Sequence, residues 1–231
     1  MTPAPLLVSL HMPKTAGTSL AETLRAAFPE PGACQIEYVD QPMQYTRWCR
    51  RWRALRAGLT GRGVLPDGLA CVHGHFLPVK FRIAAGAARA VRYVTWLREP
   101  VDRLASHYHY WMRDYDGLDP AQPLRNRVLR ERWSFERFAL GAEMRDLYHE
   151  YLWRFDPAGF DFIGITERYD EDLQQMARRF LGGTAVPAVA LANPLRGESG
   201  YVISPLLRSR IEAHHARDVA LYRRVLAGHR R

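Results

Sequence analysis

Apolar positions along this chain gather in three near-continuous runs: LLVSL at Leu6–Leu10, VRYVTWL at Val91–Leu97 and FDFIGITE at residues 160–167. Runs of that length and density read as strands covered on both faces, as in a parallel sheet. Shorter runs at Cys34–Tyr38 and Leu69–Val72 predict two more strands, the second ending in His73-Gly74-His75. Helical periodicity fills the intervals. One helix is opened by Thr18 or Ser19 after a short loop, His11–Gly17; a second covers residues 43–57; a third follows Pro100 through VDRLASHYHYWMRDY. Residues 119–153 read as helical, broken near Arg132–Trp133, with Ser134 as a cap. YDEDLQQMARRFLG carries acidic residues in its first turn, and Ser204-Pro205 starts a final helix over about residues 205–227. Strands separated by helices predict an α/β fold with an open, mostly parallel sheet in a single domain, 1–231. Residues 29–42, 58–68 and 183–203 are Pro/Gly-bearing connections, and the last is long enough to carry function.

Charge changes this picture more than bulk composition does. The chain has 33 basic and 24 acidic residues, a net charge of +9, which favours an anionic ligand without identifying it. Only Lys14 and Lys80 are lysines, so arginine is the habitual cation here and a lysine inside a loop after the first strand stands out. Cys34, Cys49 and Cys71 lack metal or disulfide spacing and fit buried thiols in a reducing compartment. No signal-peptide pattern and no membrane-length apolar run is present, so the expectation is a cytoplasmic protein without a membrane span.

The candidate chemistry starts at LLVSLHMPKTAGTSL. A strand that enters a helix through a loop with Lys14, Thr15, Gly17, Thr18 and Ser19 is a phosphate cradle: helix-start amides and the helix dipole face the anion, and Lys14 adds a full charge. The pattern GxxxxGK[ST] is not met, because the lysine precedes the glycine. Glycine between His73 and His75 predicts a close backbone approach. Taken alone, either histidine could be structural, a base or half of a metal pair, though no nearby carboxylate or cysteine completes a metal set. Arg98 stands at the carboxyl end of a predicted strand, the ligand side of an open α/β sheet; Ser106 lies two helical turns on, near the face of Asp102 and Arg103. An Arg–Asp ion pair and a packing serine are the plainer readings of these two. The 43–57 helix sets five arginines beside Trp48 and Trp52. It is either a surface helix anchored by its tryptophans or a basic, aromatic wall for an anionic or sugar-like acceptor. His11 is expected to shape the loop, and His107 and His109 are open between helix surface and cleft.

Together these stretches resemble a known family. HMPKTAGTSL is similar to the 5′-phosphosulfate loop of the glycan sulfotransferases typified by heparan sulfate 2-O-sulfotransferase. WLREPVDRLASHY resembles that family's 3′-phosphate motif, R-x-P-x-x-R-x-x-S, and HGHFLPVKF the segment around its catalytic histidine. FIGITERYDEDLQQM and NPLRGESGYVISPLLRSRIEAHHARDVALY match its later elements in order. The resemblance implies a P-loop-kinase-like fold and a donor, 3′-phosphoadenosine 5′-phosphosulfate, whose sulfuryl group passes in line to a hydroxyl. It implies His75 as general base, His73 as its substitute or as a hydrogen-bond donor to the transferring sulfuryl, and Lys14 on the leaving oxygen. Lys14, Thr15, Ala16, Gly17, Thr18 and Ser19 would hold the 5′ end, Arg98 and Ser106 the 3′-phosphate, and Asn193 and Arg196 would close over the nucleotide. No metal is required. The family's animal members carry an N-terminal membrane helix that is missing here, so the expectation is a soluble, bacterial-type enzyme acting on a glycan, glycolipid or small metabolite, with no nucleic acid as partner. Two rivals stand: a magnesium-dependent nucleotide or small-molecule kinase, which would need Glu99 or Glu167 for the metal, and a non-catalytic nucleic-acid or polyanion binder with steep salt dependence.

Overall fold

The computed structural model of the chain describes residues 4–38, 45–61, 65–86, 89–113, 115–183 and 201–229. Five strands form the sheet: β1 (Leu6–Leu10), β2 (Cys34–Tyr38), β3 (Cys71–His75), β4 (Val91–Leu97) and β5 (Phe162–Ile165). Their order is β2-β3-β1-β4-β5 and every neighbouring pair is parallel. The α/β expectation holds.

Both faces of the sheet are covered, as the dense apolar runs require. Alternation along β1 sends Leu6, Val8 and Leu10 into one core with Tyr93, Leu97, Phe76, Phe81, Tyr148 and Tyr151. Leu7 enters the opposite core with Val94, Trp96 and Phe162. That second layer is closed by Leu20 and Leu24 of helix α1 (Gly17–Ala27) and by Leu173 and Met176 of a helix at Tyr169–Phe180.

The chain leaves β1 for β2 at one edge, returns to β3 beside β1, then crosses to β4 on β1's other side. Parallel direction puts the carboxyl ends of β3, β1 and β4 side by side, where the winding changes direction. Such a switch point is the binding crevice of open α/β sheets.

Several boundaries differ from the sequence pattern, each for a local reason. Helix α1 begins at Gly17 instead of Thr18 or Ser19, because left-handed backbone at Lys14 and Ala16 turns the chain before either residue is reached. Helix α2 (Arg47–Thr60) is shifted late; Thr46 Oγ1 caps it by accepting from the Cys49 amide at 3.3 Å. It runs through Gly58, whose missing side chain lets α2 lie against the Lys80 carbonyl of α3 (Val79–Ala85). The sequence reading ended that strand at Val72; the structure carries β3 to His75, so both histidines are strand residues.

After α4 (Pro100–Met112), the stretch 119–153 is three short helices, α5 (Pro123–Arg130), α6 (Phe135–Ala139) and α7 (Leu147–Tyr151). Left-handed Arg132 and Asp146 interrupt them, and Ser134 caps α6 as expected. Helix α8 is Tyr169–Phe180. The final helix is two, α9 (Pro205–His214) and α10 (Ala216–Gly228). The break falls at His215, whose fully buried ring donates from Nε2 to the Ala139 carbonyl at 2.7 Å and accepts the Asp146 amide on Nδ1 at 3.2 Å. Of the cysteines only Cys71 is buried; Cys49 is exposed, because it lies on the outer side of α2.

The glycine between the histidines has a physical cause. Gly74 has φ +152°, and a Cβ there would overlap the Glu37 carbonyl of β2, its register partner. Gly74→Ala is therefore expected to destabilise the fold by about 2–4 kcal/mol, from backbone strain plus overpacking. Urea denaturation checks this; a midpoint within error of the parent would mean that β2 yields freely.

Candidate active site

The loop between β1 and α1 is held in a strained shape. Lys14 and Ala16 are non-glycine residues at φ 68° and 63°, conformations that persist only where surroundings impose them. Thr15, buried, donates its hydroxyl to the Met12 carbonyl at 2.8 Å and so curls the loop from inside. The amides of Gly17, Thr18 and Ser19 open α1 and have no intrahelical acceptor by geometry, which makes this turn the electropositive end of the helix.

Three histidines pack under that loop. His11 stacks on His75 with centroids 4.3 Å apart and on His73 at 5.2 Å. The His11 ring occupies the space a Cβ on Gly17 would need, which is why residue 17 is glycine. His73 is fully buried with both ring nitrogens committed: Nε2–H donates to the Gly17 carbonyl at 3.1 Å, and Nδ1 accepts the Ser9 hydroxyl at 2.9 Å. His73, expected as a substitute base or a hydrogen-bond donor to the transferring sulfuryl, therefore has no nitrogen to offer a substrate in this arrangement. It fixes the first turn of α1 to the sheet.

His75 differs. Its Nδ1 lies 2.6 Å from the His11 carbonyl, and a carbonyl only accepts, so Nδ1 carries the hydrogen and Nε2 the lone pair. Burial pushes its pKa down to about 4, partly offset by that hydrogen bond. His73 is pushed to about 3, first by burial and then by His75, and His11 is held well below the usual histidine range by burial and its two neighbours. All three rings are neutral at pH 7.

Two cations meet at this crevice from different strands. Arg98, at the end of β4 and 7% exposed, reaches the Lys14 carbonyl at 3.5 Å. Its backbone is clamped by the buried Tyr148 hydroxyl, which accepts the Arg98 amide at 3.0 Å and donates to the Arg98 carbonyl at 2.7 Å. Lys14 Nζ sits over the Tyr110 ring of α4, 4.0 Å from its centroid. Burial, then Arg98, then Arg113 push the Lys14 pKa down to about 8. Among the described residues neither Lys14 nor Arg98 has a carboxylate partner. Ser106, also buried, is one helical turn before Tyr110 and so shares its α4 face.

The remaining sequence expectations divide clearly. Asp102 pairs with Arg208 at 2.9 Å, not with Arg98. His107 is a core residue packed edge-on against Trp111 and Phe138; His109 is half-buried and stacked on Tyr201. Asn193 and Arg196 lie outside the described residues. Glu99 and Glu167, the carboxylates a metal-dependent kinase would need, are both engaged: Glu99 caps α4 and binds Arg208 at 3.1 Å, and Glu167 accepts the Glu99 amide at 3.0 Å. Asp146, His215 and Asp218 cluster closely enough to suggest a metal set, but both His215 nitrogens are used, and Asp218 accepts the Tyr148 and His149 amides. Sequence reading missed Tyr110, Arg113 and Tyr148. The spacing of Tyr110 one turn beyond Ser106 could have flagged it; nothing in sequence ties Tyr148 to Arg98.

No protein-family model matches the chain, and no curated protein does. Solved structures are similar in fold. A sulfotransferase from Alicyclobacillus acidocaldarius is 18% identical with a TM-score of 0.46, each chain being 94% covered. Mouse sulfotransferase SULT7A1, crystallised with PAP, is 12% identical with a TM-score of 0.39; the match covers 92% of this chain and 63% of the mouse protein. Likeness at these levels concerns the path of the backbone and assigns no activity.

Proposed function

We propose that this protein is a sulfotransferase that uses 3′-phosphoadenosine 5′-phosphosulfate as donor. The observation that carries the reading is the pair Lys14 and Arg98: two largely buried cations without carboxylate partners among the described residues, brought by β1 and β4 to one crevice at an electropositive helix start. A nucleotide with phosphoryl groups at both ends needs two such sites.

The residue roles follow from position. The loop amides from Ala16 to Ser19, with Lys14, receive the 5′-phosphosulfate, and Thr15 keeps the loop in shape. Arg98 and Ser106 receive the 3′-phosphate. The acceptor hydroxyl attacks sulfur, the bond to the 5′-phosphate oxygen breaks, and Lys14 neutralises charge growing on that oxygen. His75 Nε2 takes the acceptor proton. A loose, in-line transfer places the burden on positioning and charge, which suits a rigid loop built on buried histidines. The acceptor is a hydroxyl of a glycan, glycolipid or small metabolite.

Calorimetric titration with adenosine 3′,5′-bisphosphate, run beside ATP with magnesium, tests the donor. The bisphosphate is expected to bind and ATP–magnesium not to compete. Arg98→Ala should weaken the bisphosphate by about 10–100-fold, the loss of one charge-assisted contact, while changing adenosine 5′-phosphosulfate binding by less than about threefold. Equal losses for both ligands would remove Arg98 from the 3′-phosphate, and preference for ATP–magnesium would favour the kinase reading.

A further inference from the structure

Helix α2 is built inside out. Its inner side is small and polar: Ala54 and Gly58 pack inward, and Arg50, 1% exposed, bonds Glu150 of α7 at 2.9 Å. Its apolar residues face away from the protein. Trp48 is 70% exposed, Trp52 48% and Leu59 77%, and Leu55 is half-buried. At about 100° per residue these four fall within about 60° of arc, centred roughly 130° around the helix from the buried side. Arg47 and Arg51 flank the stripe on one side, Arg53 and Arg56 on the other. Arg47, Arg50 and Arg51 share the single carboxylate of Glu150. Arg53 and Arg56 lie over the Tyr45 and Trp52 rings, 4.7 and 5.6 Å from their centroids.

We infer that the outer face of α2 is a docking surface for an anionic lipid bilayer. An exposed Trp/Leu stripe bordered by arginines matches the two layers of a membrane interface, with rings at the acyl boundary and guanidiniums among the phosphates. A shallow cavity lined by Thr46, Trp48, Cys49 and Trp52 covers only the first part of the stripe, whereas the helix is about 21 Å long, so the stripe as a whole suits an extended surface better than a small molecule. Charge disfavours a second copy of the chain. A two-fold contact would bring the same arginine-bordered stripe against itself and align like charges. A bilayer with anionic headgroups supplies the opposite charge on both sides of the stripe at once. Among the described residues no helix is long and apolar enough to cross a membrane, so the contact is peripheral. Glu150, which anchors α2, precedes Tyr151, whose ring lies 6.0 Å from that of His75.

Vesicle flotation with the full chain tests this independently of any catalytic assignment. Binding to vesicles of phosphatidylcholine plus phosphatidylglycerol should be at least about tenfold stronger than to phosphatidylcholine alone and should weaken as salt is raised. Trp48→Ala/Trp52→Ala and, separately, Arg53→Gln/Arg56→Gln should each lose about tenfold or more on the anionic vesicles. Both sets of residues are on the outer side of α2, so melting temperature and adenosine 3′,5′-bisphosphate binding should stay at parental values. No vesicle binding, equal binding to both compositions, or full binding by the tryptophan variant would overturn the proposal. So would concentration-dependent dimerisation that the tryptophan variant abolishes, which would make the stripe a self-interface.

Discussion

Lys14→Ala is expected to lower kcat for sulfuryl transfer by about 10²–10³-fold, the loss that follows removal of one preorganised group facing developing charge. It is also expected not to destabilise the ligand-free protein. Lys14 is held at a cost: burial, Arg98 and Arg113 all act against its charge and push its pKa down to about 8. A lysine pKa below its unfolded value means that the folded state holds the proton less tightly, so the charged side chain weakens folding at neutral pH. A lysine with a purely structural role would lose stability and turnover together. The sign of the pH effect on binding follows from the same shift. Below about pH 8 Lys14 is protonated and faces the anion at full charge; above it, bisphosphate affinity should fall as the proton is lost, and binding near pH 8 should take up a fraction of a proton. Lys14→Arg, which does not titrate there, should abolish that slope. Calorimetry in buffers of different ionisation enthalpy measures the uptake, and unchanged turnover in Lys14→Ala would remove the residue from the mechanism.

Much of the sheet was legible because its strands are apolar on both faces. Leu6–Leu10 and Val91–Leu97 emerge with the bounds read from sequence, since no competing period runs through them. The loop between β1 and α1 was legible as well, because strand, lysine, small residues and helix follow one another without a gap. What sequence misjudged was contact between distant segments. Gly74 suggested a close approach at a ligand site; the approach is to the backbone of β2, a fact of register that no local pattern encodes. His73 looks like a catalytic candidate in one dimension and is consumed by the Ser9 and Gly17 contacts in three, while His107, which the sequence leaves open between helix surface and cleft, belongs to the core. The break between α9 and α10 was invisible because it depends on His215 finding two backbone partners roughly 70 residues away. Helix α2 shows another limit. Its sequence offers either a surface helix anchored by Trp48 and Trp52 or a basic, aromatic wall, and nothing local says that both tryptophans face away from the core.

His75→Ala is expected to lower kcat by about 10²–10⁴-fold while changing bisphosphate affinity by less than about twofold, because the ring is placed to accept a proton and carries no charge toward the donor. Tautomer and position point to His75. Nδ1–H donates to the His11 carbonyl, which puts the lone pair on Nε2. The low pKa of His75, about 4, sets the pH profile. A base must be unprotonated, so the acid limb of kcat/KM should fall near pH 4–5, well below the value near 6.5 for an ordinary histidine. Stability carries the same sign: a histidine held neutral in the fold favours unfolding as pH drops below about 6.5, where the unfolded chain begins to take up the proton. The acid limb must therefore be read at pH values where circular dichroism still reports a folded chain. His75→Gln supplies the control. Its amide can still donate to the His11 carbonyl and fill the stack, so loop geometry and donor binding should persist while proton abstraction is lost. Parental turnover in His75→Gln, or a matched fall in binding and turnover in His75→Ala, would reassign this ring from catalysis to the support of the loop.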